Sequence, residues 1–206
     1  MKRTLRVTLF SGLAALLLGL GAAVPASAAT TPATPSTSSA STTFTASTQP
    51  MSLTTVPGIT FASTLVPDTA TNGSYNAASV DNPLTVTNPG YATGYTVDVQ
   101  NTPFNNSDAT ATAGDGKVLS GAVLNLPAPA AAAANEGNPS TGPVTSAVTL
   151  SGDNTNQVVE TASANGGLGV WNSPYTASGI NLTVPAGQEP GSYTSTLTWT
   201  LGNTVA

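Results

Sequence analysis

The run from Gly191 to Leu201 reads Gly-Ser-Tyr-Thr-Ser-Thr-Leu-Thr-Trp-Thr-Leu and alternates strictly. Thr194, Thr196, Thr198 and Thr200 fall on one face; Tyr193, Leu197, Trp199 and Leu201 fall on the other. Period-2 alternation with this many β-branched and aromatic residues specifies a half-buried β-strand. From Met51 onward the chain repeats the theme: short apolar alternations separated by Gly, Pro, Asn and Asp. Strands are expected at 53–56, 60–66, 84–87, 95–100, 118–126, 144–150, 157–161, 180–184 and 193–201. Turns are expected at Asp81-Asn82-Pro83, Asn88-Pro89-Gly90, Gly114-Asp115-Gly116, Ser151-Gly152-Asp153-Asn154 and Pro185-Ala186-Gly187. Helix fits poorly almost everywhere; the exception is the Ala-rich stretch 128–134, which could make one turn, but Pro127 precedes it, Pro129 interrupts it and Gly137 follows, so a loop is expected there. The expected fold is all-β: an antiparallel β-sandwich, Ig-like in broad architecture.

Residues 1–28 have the form of a secretory signal. Lys2, Arg3 and Arg6 precede an apolar stretch centred on Ala14 to Leu18, Pro25 breaks it, and Ala26-Ser27-Ala28 fits the small-residue cleavage rule. Residues 29–50, dominated by Thr, Ser, Ala and Pro, read as a flexible tether, with a weaker alternative in which the part near Phe44 pairs as an edge strand. Residues 51–206 form the folded domain, whose size suits one core. No second apolar stretch long enough to span a bilayer follows the signal, so no membrane insertion is expected after cleavage. No carboxy-terminal sorting signal follows either, so retention on a cell is expected to be non-covalent.

Charge and composition exclude several functions. Three of the four basic residues lie in the signal, leaving Lys117 against nine acids. A nucleic-acid partner needs Lys and Arg to neutralise phosphates, and anionic lipid or teichoic acid would need the same, so none of these is expected. With no Cys, an exported chain must be stabilised by its core alone. With no His, Ser-His-Asp and Cys-His nucleophiles and imidazole metal sites are impossible. No cofactor motif is present, and no pair stands out among the acids to cleave glycosides. Asp108/Asp115 and Asp153/Asn154 lie in turns without a Ca²⁺-loop spacing and read as solvated turn residues. No catalytic or metal residue is assigned.

Trp199-Thr200-Leu201, closing a Tyr- and Thr-rich strand near the chain end, resembles the last motif of the WxL domain of Gram-positive surface proteins. Earlier elements match that family in order: Leu53, Val56-Pro57 and Phe61; Leu119-Ser120-Gly121-Ala122; Gly167-Leu168-Gly169-Val170-Trp171; and Ile180 to Pro185. Tyr95-Thr96-Val97 stands where the first Trp-x-Leu is expected, which keeps an aromatic and an aliphatic on one face but loses the indole. The resemblance implies a non-catalytic protein without cofactor, secreted to the cell wall and held there non-covalently through peptidoglycan. It also implies work alongside other surface proteins.

The motif residues allow two roles. Aromatic faces suit sugar rings, which would make Trp199 and Tyr95 a ligand platform. Alternation instead places Tyr95, Val97 and Val99, Ile180, Leu182 and Val184, and Leu197, Trp199 and Leu201 on buried faces, which favours core. Trp171, following a Gly-rich run beside Ser173-Pro174, is then the better exposed aromatic, with capping of the sandwich end as its alternative. The binding candidates are thus Trp199, Leu201, Tyr95, Val97 and Trp171. Two further functions stay open: an assembly subunit that docks on another surface protein by strand addition, and a secreted carbohydrate-active enzyme.

Overall fold

A computed structural model of the chain describes residues 39–45, 47–63, 70–107 and 117–202. The signal, most of the tether, and the expected turn and Ca²⁺ candidate around Asp108 and Asp115 lie outside these residues. The chain divides into two units, 1–43 and 44–206. Residues 39–43 of the first are exposed and without regular structure. Phe44 is 91 % exposed and belongs to no strand, so the edge-strand alternative near it does not hold.

The second unit is built from strands: β1 (Ser52–Thr55), β2 (Ile59–Phe61), β3 (Gly73–Val80), β4 (Leu84–Asn88), β5 (Tyr95–Asn101), β6 (Asn105–Asn106), β7 (Val123–Leu126) and β8 (Ala132–Ala133). They continue as β9 (Val144–Thr145), β10 (Val148–Leu150), β11 (Gln157–Ala162), β12 (Gly169–Ser173), β13 (Asn181–Val184), β14 (Tyr193–Thr194) and β15 (Leu197–Gly202). Every pairing is antiparallel. The sheets run β1-β4-β12-β8, β10-β7-β13-β3-β2 and β15-β5-β11-β9, with a ribbon of β14 and β6. This is the expected all-β sandwich.

One core joins the three larger sheets. Leu84 and Val86 come from β4, Tyr95, Val97 and Val99 from β5, Val159 and Ala162 from β11, and Leu124, Leu126, Leu150, Leu182 and Val184 from the five-stranded sheet. Alternation predicts the inward residues of β5 and β13 correctly, because both are central strands whose apolar face has a layer to cover it.

Three expected strands are divided. The 144–150 run splits into β9 and β10, which pair with β11 and β7 in different sheets. The 118–126 run is interrupted by a turn in which the Ala122 amide donates to the Leu119 carbonyl, so the strand begins at Val123. The 193–201 run breaks at Ser195 and Thr196. There the Ser195 hydroxyl donates to the Thr102 carbonyl (2.6 Å) and the Thr196 amide to Thr102 Oγ1 (2.9 Å). Its partner turns at the same place: β15 pairs with β5, while β14 pairs with β6 just beyond Thr102. The side-chain alternation survives the break, and Thr194, Thr196, Thr198 and Thr200 are all exposed. Four strands are absent from the expectation. β3 has few β-branched residues, and β12 lies in the Gly-rich stretch that reads as loop. β6 and β8 have two residues each, too few to show alternation; β8 corrects the loop expected at 128–134, because it pairs with β12 there.

Candidate functional site

The two motif segments lie side by side. β5 is an inner strand with β15 on one flank and β11 on the other; Trp199 stands opposite Val99, and Leu201 opposite Val97. Tyr95 and Val97 are wholly buried. A side chain with no free surface cannot be a ligand platform, which corrects the ligand-contact role for both and leaves them the core role. Leu197, Trp199 and Leu201 are only half-buried, because β15 is the sheet's edge and the covering layer does not extend fully over it. Trp199 meets Tyr175 edge-on, with centroids 6.2 Å apart and planes at 61°, an arrangement that aromatic quadrupoles favour.

On the other flank the ladder carries a bulge. Val158 pairs with Asp98, but the next pair is Glu160 with Val97, leaving Val159 as an extra residue. The insertion reverses parity. Val158 is exposed, yet Glu160, two residues on, is 1 % exposed. Glu160 is met there by hydroxyls: Tyr95 donates to Oε1 (2.9 Å) and Ser173 to Oε2. Burial nevertheless raises the Glu160 pKa above its ordinary value, the two hydroxyl donors opposing this only in part. Tyr175, whose hydroxyl is buried without a partner, and Tyr95 have their own pKa values raised, first by burial and then by the Glu160 charge.

A carboxyl with a raised native pKa binds a proton in the fold that the unfolded chain has released. Its stabilising contribution is full below the unfolded pKa and is lost as pH rises from there through the native value. The Glu160 contribution to the unfolding free energy is therefore expected to fall as pH rises from about 4.5. Glu160→Gln, isosteric and neutral, should remove that part of the slope in denaturant titrations across this range; parallel curves for the two proteins would refute the assignment.

Trp171 is not the exposed aromatic that the Gly-rich stretch implies. It lies within β12 between Val86 of β4 and Ala133 of β8, is 7 % exposed, and its Nε1 donates to the Leu168 carbonyl (3.0 Å). Its indole is spent on the fold.

An open cleft lies elsewhere. A cleft of about 620 Å³ separates the five-stranded sheet from the β14–β15 segment. Four aromatic rings line it, Phe61, Tyr75, Phe104 and Tyr193, with Leu182 and Leu197 among the aliphatic walls. Phe61, Tyr75 and Tyr193 are half-buried, presenting part of each ring to the opening. Among the described residues Glu189 is the only charged side chain in the lining, and Ser192, Thr194 and Ser195 supply hydroxyls. The rim is braced. Gln188 accepts from the Ser120 amide and donates to its carbonyl, both at 3.1 Å, and the Tyr193 hydroxyl donates to the Glu189 carbonyl (2.8 Å). None of the five sequence-derived binding candidates lines this cleft. Its rings come from positions scattered over 61–193, so the only sequence signal available was the scarcity of aromatics, four of which converge here.

Among the described residues no group of three or more Asp, Glu, His or Cys could hold a metal, and no helix is long and apolar enough to cross a membrane. Asp153 serves its turn: Oδ1 accepts the Thr155 amide (3.0 Å), and this bond lowers its pKa. Comparison with known proteins finds one family whose model matches residues 23–204, described as WxL domain surface cell wall-binding. No curated protein and no solved structure matches the chain.

Proposed function

Since the chain belongs to the WxL domain family of surface cell wall-binding proteins, we propose that it attaches non-covalently to peptidoglycan by taking glycan into the aromatic cleft. The signal 1–28 directs export, the tether 29–50 spaces the domain from its surroundings, and residues 51–206 bind. The observation that carries this reading is the character of the cleft walls. Half-buried rings offer faces to sugar rings, hydroxyls offer hydrogen bonds at the rim, and among the described residues the lining holds no cation for an anionic polymer. The volume lies within the range of small-molecule pockets, roughly 300–1,000 Å³. The protein acts by binding alone; Glu160, the buried carboxylate among the described residues, is closed off from any substrate.

The test is co-sedimentation of the mature chain from Ala29 with protein-free peptidoglycan stripped of teichoic acid, at low and high salt. Binding should be insensitive to salt, because few charges take part. Tyr193→Ala and Phe61→Ala should each weaken it on the order of tenfold, as loss of a contact ring does. Lys117→Ala should leave it unchanged. A folded chain that stays in the supernatant would overturn the peptidoglycan assignment.

A further inference from the structure

The first five residues of β15, Leu197-Thr198-Trp199-Thr200-Leu201, read the same in both directions. β15 is also the one long, regular sheet edge among the described residues. The other edges are short or distorted: β8 and β9 have two residues each, β10 has three, and β1 and β2 carry register shifts. β15 has six residues in unbroken register with β5 and contains no charge and no proline. Proteins that must stay monomeric blunt such edges with charges, prolines, bulges or brevity, and β15 uses none of these.

We propose that β15 is a self-association edge at which two copies of this chain pair antiparallel about a two-fold axis through Trp199. The palindrome makes the edge self-complementary: Leu197 meets Leu201 of the second copy, Thr198 meets Thr200, and Trp199 meets Trp199. Apolar residues thus face apolar ones, and threonines face threonines. The backbone agrees. The Thr196 carbonyl accepts the Thr102 amide (3.0 Å), so the backbone groups of Thr196 point inward to β5's side. Alternation then turns the N–H and C=O of Leu197, Trp199 and Leu201 to the side away from β5, where no described strand pairs with them. In the two-fold register these are the residues that exchange hydrogen bonds, and each of those groups gains a partner. The half-buried Leu197, Trp199 and Leu201 would lose further surface to water. Charge does not oppose the contact: the nearest facing acid, Asp98, sits on β5, so the two copies' carboxylates stand three strand spacings apart, about 14 Å, beyond the screening length. Each copy has a single edge of this kind, so assembly closes at the dimer. This proposal does not depend on wall binding.

Sedimentation velocity of the mature chain over a concentration series, without wall material, tests it. Wild type should show a concentration-dependent dimer. Thr198→Lys/Thr200→Lys places lysines opposite lysines and should raise the dissociation constant on the order of a hundredfold. Thr198→Lys/Thr200→Glu places opposite charges across the same pairs and should retain the dimer. Both positions are exposed, so neither variant disturbs the core. A wild type that is monomeric throughout, or double variants that behave alike, would overturn the proposal.

Discussion

Gly167→Ala is expected to destabilise the domain by about 2–5 kcal/mol, a fall in Tm on the order of 10 °C. Two costs combine. Gly167 has φ +65°, where an L-residue pays about 1–2 kcal/mol. A Cβ there would also stand 2.6 Å from Ala162 Cβ and 2.6 Å from Cε1 of Tyr95, both side chains wholly buried. Neither neighbour can move without displacing the core, and overpacking of this sort costs about 1–3 kcal/mol. Gly137 provides the comparison: its φ is +77°, but nothing lies within 4 Å of the added carbon. Gly137→Ala should therefore pay only the conformational part. Equal losses in thermal unfolding of the two variants would mean that the backbone of Gly167 does not lie against the Tyr95 ring as described.

The same contact shows what the sequence could and could not disclose. The Gly166–Gly169 stretch is legible as a place where the chain bends, but the reason for glycine at 167 is a ring more than seventy residues away. Pattern carries the inward faces of β5, β13 and β15, because in these strands parity runs unbroken and period 2 maps directly onto burial. It fails at β11. Counting by twos puts Val158 and Glu160 on one side, and the sequence contains nothing that marks Val159 as a bulge. The buried carboxyl therefore could not be distinguished from the other acids. It fails at Trp171 for a different reason. A short strand entered through glycines has too little alternation to register, and its burial depends on β4 and β8 lying on either side. The cleft is hidden for a third reason: it is a property of the gap between sheets. No local spacing links Phe61, Tyr75, Phe104 and Tyr193. The family resemblance bypasses these limits by matching elements in order along the chain, which is why it identified wall binding while its motif residues proved to be parts of the core or of the sheet edge.

Tyr95 stands where the first Trp-x-Leu motif is otherwise expected, and replacing it should be the most damaging single truncation in the domain. Tyr95→Ala removes a fully buried ring from the inner strand between the two flanks, at a cost of about 3–5 kcal/mol. It also leaves the Glu160 carboxyl with Ser173 as its remaining hydroxyl donor among the described residues. Tyr95→Phe separates the two effects. The ring stays and only the hydroxyl is lost, so the expected cost is about 1–3 kcal/mol, and it should depend on pH in a defined sense. The Tyr95 hydroxyl stabilises the charged form of Glu160 and holds its raised pKa down. Without it the native pKa rises further, so the neutral carboxyl is little affected, whereas ionisation in the fold becomes more costly. Denaturant unfolding at about pH 4 should therefore show a small loss for Tyr95→Phe, and unfolding near neutrality a larger one. In the double variant Tyr95→Phe/Glu160→Gln the difference between the two pH values should shrink, because the group that titrates is gone. A loss of equal size at both pH values in the single variant would mean that the hydroxyl contributes only packing, and that the Tyr95–Glu160 hydrogen bond is not what tunes the buried carboxyl.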